Sequence, residues 1–233
     1  MTVFKYALLR GLKSPASLIL NCVMPLLLII RNPAMGFGIA GPEQNRAPFL
    51  VALMIIFGGF YIARSIQIDK MDGTIIRILA GPVTMRGYLV QNFLAAMIPM
   101  TLLSILIGVF GLVLHGWELY FAAGLAICYI LLAATSIGLS FVWSCLFKDK
   151  EASSAVFAVL ITAVATLSGL MIPFALLPNF LRYVGALFPA QWANRSLEAL
   201  MDYGMGGQFW LGILAMALFT IAFMLYGGKR RLI

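Results

Sequence analysis

Residues 69–82 read DKMDGTIIRILAGP, the most polar stretch of an otherwise oily chain. Asp69, Lys70, Asp72 and Arg77 supply the charge, and Ile75, Ile76, Ile78 and Leu79 the apolar positions. The chemistry open to this set is recognition. A charged loop with a short helix pattern, fixed between two apolar runs, is a place where a membrane protein can be gripped from the cytoplasm. Asp72 is placed to cap a helix that begins at Gly73 or Thr74, its carboxylate accepting from free backbone N–H groups. Pro82, just after Gly81, ends it. The expected product is an amphipathic helix of about two turns lying parallel to the membrane. An ordinary re-entry loop over residues 67–86 is the alternative.

Other reactive constellations are missing. The single His115 cannot build a metal cluster, and HExxH and GxSxG are absent. Cys22, Cys128 and Cys145 lie in apolar runs without CxxC spacing and read as small packing residues. No GxxxxGK[ST] phosphate loop occurs. Gly227-Gly228-Lys229-Arg230 lacks the upstream glycine and the hydroxyl residue. Energy from ATP would have to come from a separate subunit, so the chain itself is not expected to be an enzyme, to bind a cofactor or to hold a metal.

The elements that must position residues 69–82 are apolar. The 233 residues are 63% hydrophobic and 10% charged, against about 25% charged in soluble domains. This is the composition of an integral membrane protein, and its length suits a single membrane domain over residues 1–233. Six apolar runs stand out, near 15–31, 48–66, 87–114, 117–147, 152–175 and 207–227. Ser14 and Pro15 suit the cap and first position of the first. Ahead of it, Phe4, Leu8 and Leu12 recur at helical spacing with Lys5 and Lys13 opposite, as in a basic interfacial helix over 1–13. An unstructured basic tail is the alternative there. A cleaved signal peptide fits poorly, because Asn21 and Pro25 interrupt the apolar core.

Lys and Arg fix the expected orientation. With both termini inside, only Arg31, Arg46, Arg182 and Arg195 face outward, and the other twelve of the sixteen face the cytoplasm. The net charge of +8 is then topology. No basic run exceeds Lys229-Arg230-Arg231, so nucleic acid is not an expected partner. Trp117, Tyr120, Phe209 and Trp210 would sit at the outer interface, and Tyr88, Trp143 and Tyr226 at the inner one.

Residues 69–82 resemble the first cytoplasmic loop of ABC-2 type transporter permeases through Asp69, Lys70, Gly73, Thr74, Leu79 and Pro82. Many members carry Gly-Lys after the proline and an aromatic, where this chain has Gln91 and Asn92 after Tyr88. A second match is Ser168-Gly169, Pro173, Leu177-Pro178, Leu181, Pro189 and Trp192. The resemblance implies an all-α membrane protein with six transmembrane helices. It adds a coupling helix that docks on an ATP-binding subunit, with Asp69, Lys70, Asp72, Gly73, Thr74, Arg77, Leu79 and Pro82 as coupling residues. It also implies short re-entrant helices in the outer segment 173–192, between spans five and six. Pro173, Pro178 and Pro189 agree, since each disfavours a continuous helix. Broken apolar backbone at membrane depth must be sheltered by protein.

The family further implies two ATP-binding subunits carrying ATP and Mg, and a second permease copy or a paralogue. The location would be a bacterial or archaeal cell membrane. The expected function is export of an amphipathic or hydrophobic cargo, a drug or a peptide. An ion-coupled secondary carrier is disfavoured, because ionisable residues occur only near the span ends. A non-transport scaffold or immunity protein is the other alternative. Ser154, Ala158, Thr162 and Thr166 repeat at four-residue spacing in the fifth span. They read first as a helix–helix contact and second as part of a pathway wall.

Overall fold

The computed structural model describes residues 2–13, 23–31, 47–81, 83–146, 150–172 and 177–229. The expected cap at Ser14 and Pro15, most of the first span, Arg46, Pro82 and Pro173 lie outside the described residues. The described residues form ten α-helices. Four are long and apolar enough to cross a membrane: Pro48–Met71, Met85–Leu114, Leu119–Ser144 and Gly207–Gly227.

Helix α1 spans Thr2–Lys13 and α2 Met24–Arg31. Phe4 and Leu8 on α1 are half-buried and Lys5 is exposed, as the helical spacing requires. Helix α3 (Ala47–Met71) runs about five residues past the expected end of the second span. Asp69 and Lys70 therefore belong to its last turn and not to a loop. Helix α4 is the short Thr74–Leu79. Helix α5 (Met85–His115) has 31 residues, about 46 Å of rise, and outreaches a hydrocarbon core of about 30 Å. Thr84 caps its start by accepting from the Gly87 N–H at 3.2 Å, and Gly116 ends it at φ 63°.

Helix α6 (Leu119–Leu146) is the hub, packed on α3, α5, α9 (Pro189–Tyr203) and α10 (Gly207–Lys229). Small residues bring these helices close, the usual basis of packing in lipid. A Cβ on Gly59 would lie 2.5 Å from Ser136 Oγ, and one on Gly212 2.1 Å from Ser196 Oγ. Hydroxyls then bond across the contacts. Ser136 Oγ donates to the Ile56 carbonyl at 2.6 Å, and Thr135 Oγ1 lies 3.0 Å from Thr220 Oγ1. Phe209 and Tyr88 are buried in the core.

Helix α7 (Lys150–Leu167) ends eight residues before the expected 175. Gly169 takes φ 83°, Leu170 N–H bonds the Ala165 carbonyl, and Gly169 N–H bonds that of Thr166. That is a Schellman stop, which apolar composition alone conceals. At 18 residues the helix rises about 27 Å. Helix α8 is Asn179–Gly185, and α9 follows with Pro189 at its first position.

Candidate functional site

The last turns of α3 send three side chains to four neighbouring helices. Asp69, 6% exposed, accepts from Arg10 Nη1 of α1 at 2.6 Å and from the Tyr88 hydroxyl of α5 at 2.6 Å. Lys70 Nζ donates to the Ser144 carbonyl at the end of α6, 3.3 Å away. A cation there also opposes the negative end of the helix dipole. Gln67 Oε1 accepts from Ser153 Oγ of α7 at 3.2 Å, and Trp143 Nε1 donates to the same hydroxyl at 3.1 Å. Phe157 stacks on Phe60 with ring centroids 3.6 Å apart. Residues 67–70 thus tie α1, α5, α6 and α7 to α3.

The Asp69 carboxylate is buried, and both of its oxygens accept from side chains of this chain, Arg10 and Tyr88. The expected Asp72 cap is absent. The N-cap of α4 is Gly73, in the left-handed region at φ 66°, and no side chain caps the helix. Asp72 projects outward instead. Met71, Asp72, Ile76 and Arg77 are exposed, Gly73, Thr74 and Leu79 are half-buried, and Ile75 is buried as the anchor of α4. An isoleucine that is 57% exposed, beside an acid and a base, makes a small exposed face of mixed character.

At the other end, Ser168 and Gly169 form the stop of α7, and Pro178 and Pro189 start α8 and α9. Trp192 Nε1 donates to the Ala186 carbonyl at 3.1 Å and ties α9 to the turn before it. Helix α9 enters the bundle, with Ala190, Ala193, Leu197 and Leu200 buried. Helix α8 and the turn after it stay outside, with Phe180, Tyr183 and Leu187 beyond 70% exposed. Gln191 and Asn194, one turn apart, are fully buried. Neither side-chain polar atom of Gln191 has a hydrogen-bond partner among the described residues, nor has Asn194 Oδ1. The polar spacing Gln191, Asn194, Glu198 is the sequence signal for this buried polar face.

In the stripe Ser154, Ala158, Thr162, Thr166, the two middle residues point outward and the two end residues are half-buried. Ala158 and Thr162 are exposed, while Ser153, Phe157, Ile161, Val164 and Ala165 pack inward. Thr162 and Thr166 hydroxyls bond back to the carbonyls of Ala158 and Thr162, at 2.8 and 2.9 Å. Ala158 and Thr162 are open to packing against something outside the described chain.

A protein-family model described as ABC-2 family transporter protein matches residues 44–228. The chain belongs to the ABC-2 transporter family. Comparison with curated proteins gives no match. The match takes in α3 to α9 and all but the last residue of α10, but neither α1 nor α2. As an ABC-2 permease the chain is a multi-pass transmembrane component of an ABC transporter, a class that works with an ABC ATP-binding subunit.

Proposed function

We propose that this permease is half of an ABC exporter that moves an amphipathic or hydrophobic cargo, a drug or a peptide, out of the cell. Two copies, or one copy and a paralogue, form the pathway, and two ATP-binding subunits carrying ATP and Mg bind at the cytoplasmic end. The observation that carries the coupling is the contrast along residues 69–77. Met71, Asp72, Ile76 and Arg77 are exposed, while Asp69 and Lys70 lock the root of the same segment. A lever needs a stiff base and a reachable tip. A push on the tip is carried by α3 to α1 and α5 through Asp69, and to α6 through Lys70. A partner shifts a two-state equilibrium only by binding one state better, and this face is where that difference acts.

The Lys and Arg distribution supports a cytoplasmic α4 and cytoplasmic termini. The re-entrant reading of the outer segment is supported by α9, whose broken approach and buried face fit backbone sheltered at membrane depth. The outward pair Ala158 and Thr162 on α7 supports a second copy or a pathway wall beyond it. The test is ATP hydrolysis by the reconstituted complex of permease and ATP-binding subunit. Asp72→Ala combined with Arg77→Ala should cut cargo-dependent hydrolysis by about tenfold, the equivalent of ~1.4 kcal/mol of lost contact. Hydrolysis and transport unchanged in the double variant would refute the assignment.

A further inference from the structure

Two cavities flank the turn between α8 and α9. The first, about 390 Å³, is of mixed polarity and is lined by Arg182, Arg195, Glu198 and Tyr183 among others. The second, about 260 Å³, is lined almost wholly by carbon, including Leu132 of α6, Ile161 of α7 and Phe223 of α10. They meet at consecutive residues: Ala186 borders the first, and Leu187 and Phe188 border the second. Leu187 is 72% exposed, so the apolar cavity reaches the surface at this turn.

We propose that the α8–α9 turn is the saddle of a binding site for an anionic amphiphile, a phosphate or carboxylate head on one alkyl chain. The head belongs with the two guanidiniums, whose planar N–H forks match such oxyanions. Arg195 is held over the Trp192 ring at 5.0 Å, and Arg182 Nε donates to the Leu177 carbonyl at 2.9 Å. Both cations are therefore positioned before any ligand arrives. Glu198, held by Asn194 Nδ2 at 2.9 Å, leaves the pocket one net positive charge and favours a singly charged head. The chain belongs in the apolar cavity. Thr135 and Ser136 line it, but their hydroxyls are spent on the Leu131 and Ile56 carbonyls. An apolar cavity of about 150 Å³ admits a benzene ring. The 260 Å³ here then takes a chain end of roughly ten carbons.

The test is equilibrium binding to the purified permease in a nonionic detergent, followed by tryptophan fluorescence. Single-chain lysophosphatidylglycerol should bind saturably and about tenfold tighter than lysophosphatidylcholine, and inorganic phosphate should bind weakly. Arg195→Gln should erase the preference for the anion, and Ala190→Phe, which fills the apolar cavity, should weaken both lysolipids. Glu198→Gln should tighten lysophosphatidylglycerol by about threefold, a gain that no folding defect can imitate. Displacement by two-chain phosphatidylglycerol at equal concentration would assign the site to a resident membrane lipid. Failure to displace would assign it to a diffusible amphiphile. Equal affinity for the two lysolipids, or no response to Arg195→Gln and Glu198→Gln, would overturn the proposal. No ATP-binding subunit is present in this assay, so its outcome is independent of the coupling at the opposite end.

Discussion

Asp69 and Asp72 are three residues apart and have opposite employments. Asp69 accepts two hydrogen bonds inside the protein, and Asp72 lies on the surface. Removing the Asp69 carboxylate strands the Tyr88 hydroxyl and releases Arg10. The Arg10 side chain is 44% exposed, so its pair with Asp69 is worth under about 1 kcal/mol. The buried bond from Tyr88 to a carboxylate contributes more, about 2 kcal/mol. Thermal unfolding in detergent should therefore show Asp69→Ala and Tyr88→Phe each losing about 2 kcal/mol, and Asp72→Ala staying within about 0.5 kcal/mol. Equal losses for Asp69→Ala and Asp72→Ala would contradict the division. The crowding of charge at 69–77 is legible in the sequence, but its division is not. It depends on α3 continuing to Met71, which turns Asp69 and Lys70 into the bundle. It also depends on partners 59 and 19 residues away in the chain.

Helix contacts in this permease rest on missing side chains. Gly59 allows α3 to approach α6 until Ser136 reaches the Ile56 carbonyl. Gly59→Ala should cost about 1–3 kcal/mol by overpacking. Gly207→Ala, with nothing within 4 Å of its Cβ, should stay within about 0.5 kcal/mol. A melting curve for each variant separates the two. Gly169 works differently, through its backbone. With φ at 83°, Gly169→Ala should cost about 1–2 kcal/mol and blur the end of α7, read as changed protease access near residue 169. The second, third, fourth and sixth apolar runs were legible to within about five residues, because turn residues or charges bound each run. The fifth was not. Residues 168–175 are as oily as those before them, and the Schellman stop lies in the conformation of one glycine. The turn at Gly73 is hidden for the same reason, since the left-handed conformation of one glycine, and not the Asp72 side chain, starts α4.

At the scale of the molecule, two polar ends are joined by an apolar bundle. One end carries the Asp69 and Lys70 ties and the exposed face of α4, and the other carries α8, α9 and their cavities. Helix α10 and the outer face of α7 expose rows of aliphatic residues, among them Val159, Leu214 and Leu218. Lipid or a second copy would cover them. If a second copy does, Val159→Trp should weaken association in cross-linking and size-exclusion experiments without lowering the melting temperature of the single chain. An undisturbed complex would place the interface elsewhere. The coupling face is open to a more direct measurement. A photo-crosslinking residue is placed at Ile76, on the tip of α4, and in a separate variant at Tyr183, on α8, each in permease assembled with the ATP-binding subunit. Both positions are exposed, at 57% and 79%, so accessibility does not separate them. Expected is a cross-link to the ATP-binding subunit from position 76 and none from position 183. A cross-link from 183, or an assembled complex with none from 76, would contradict the assignment of α4 as the docking element.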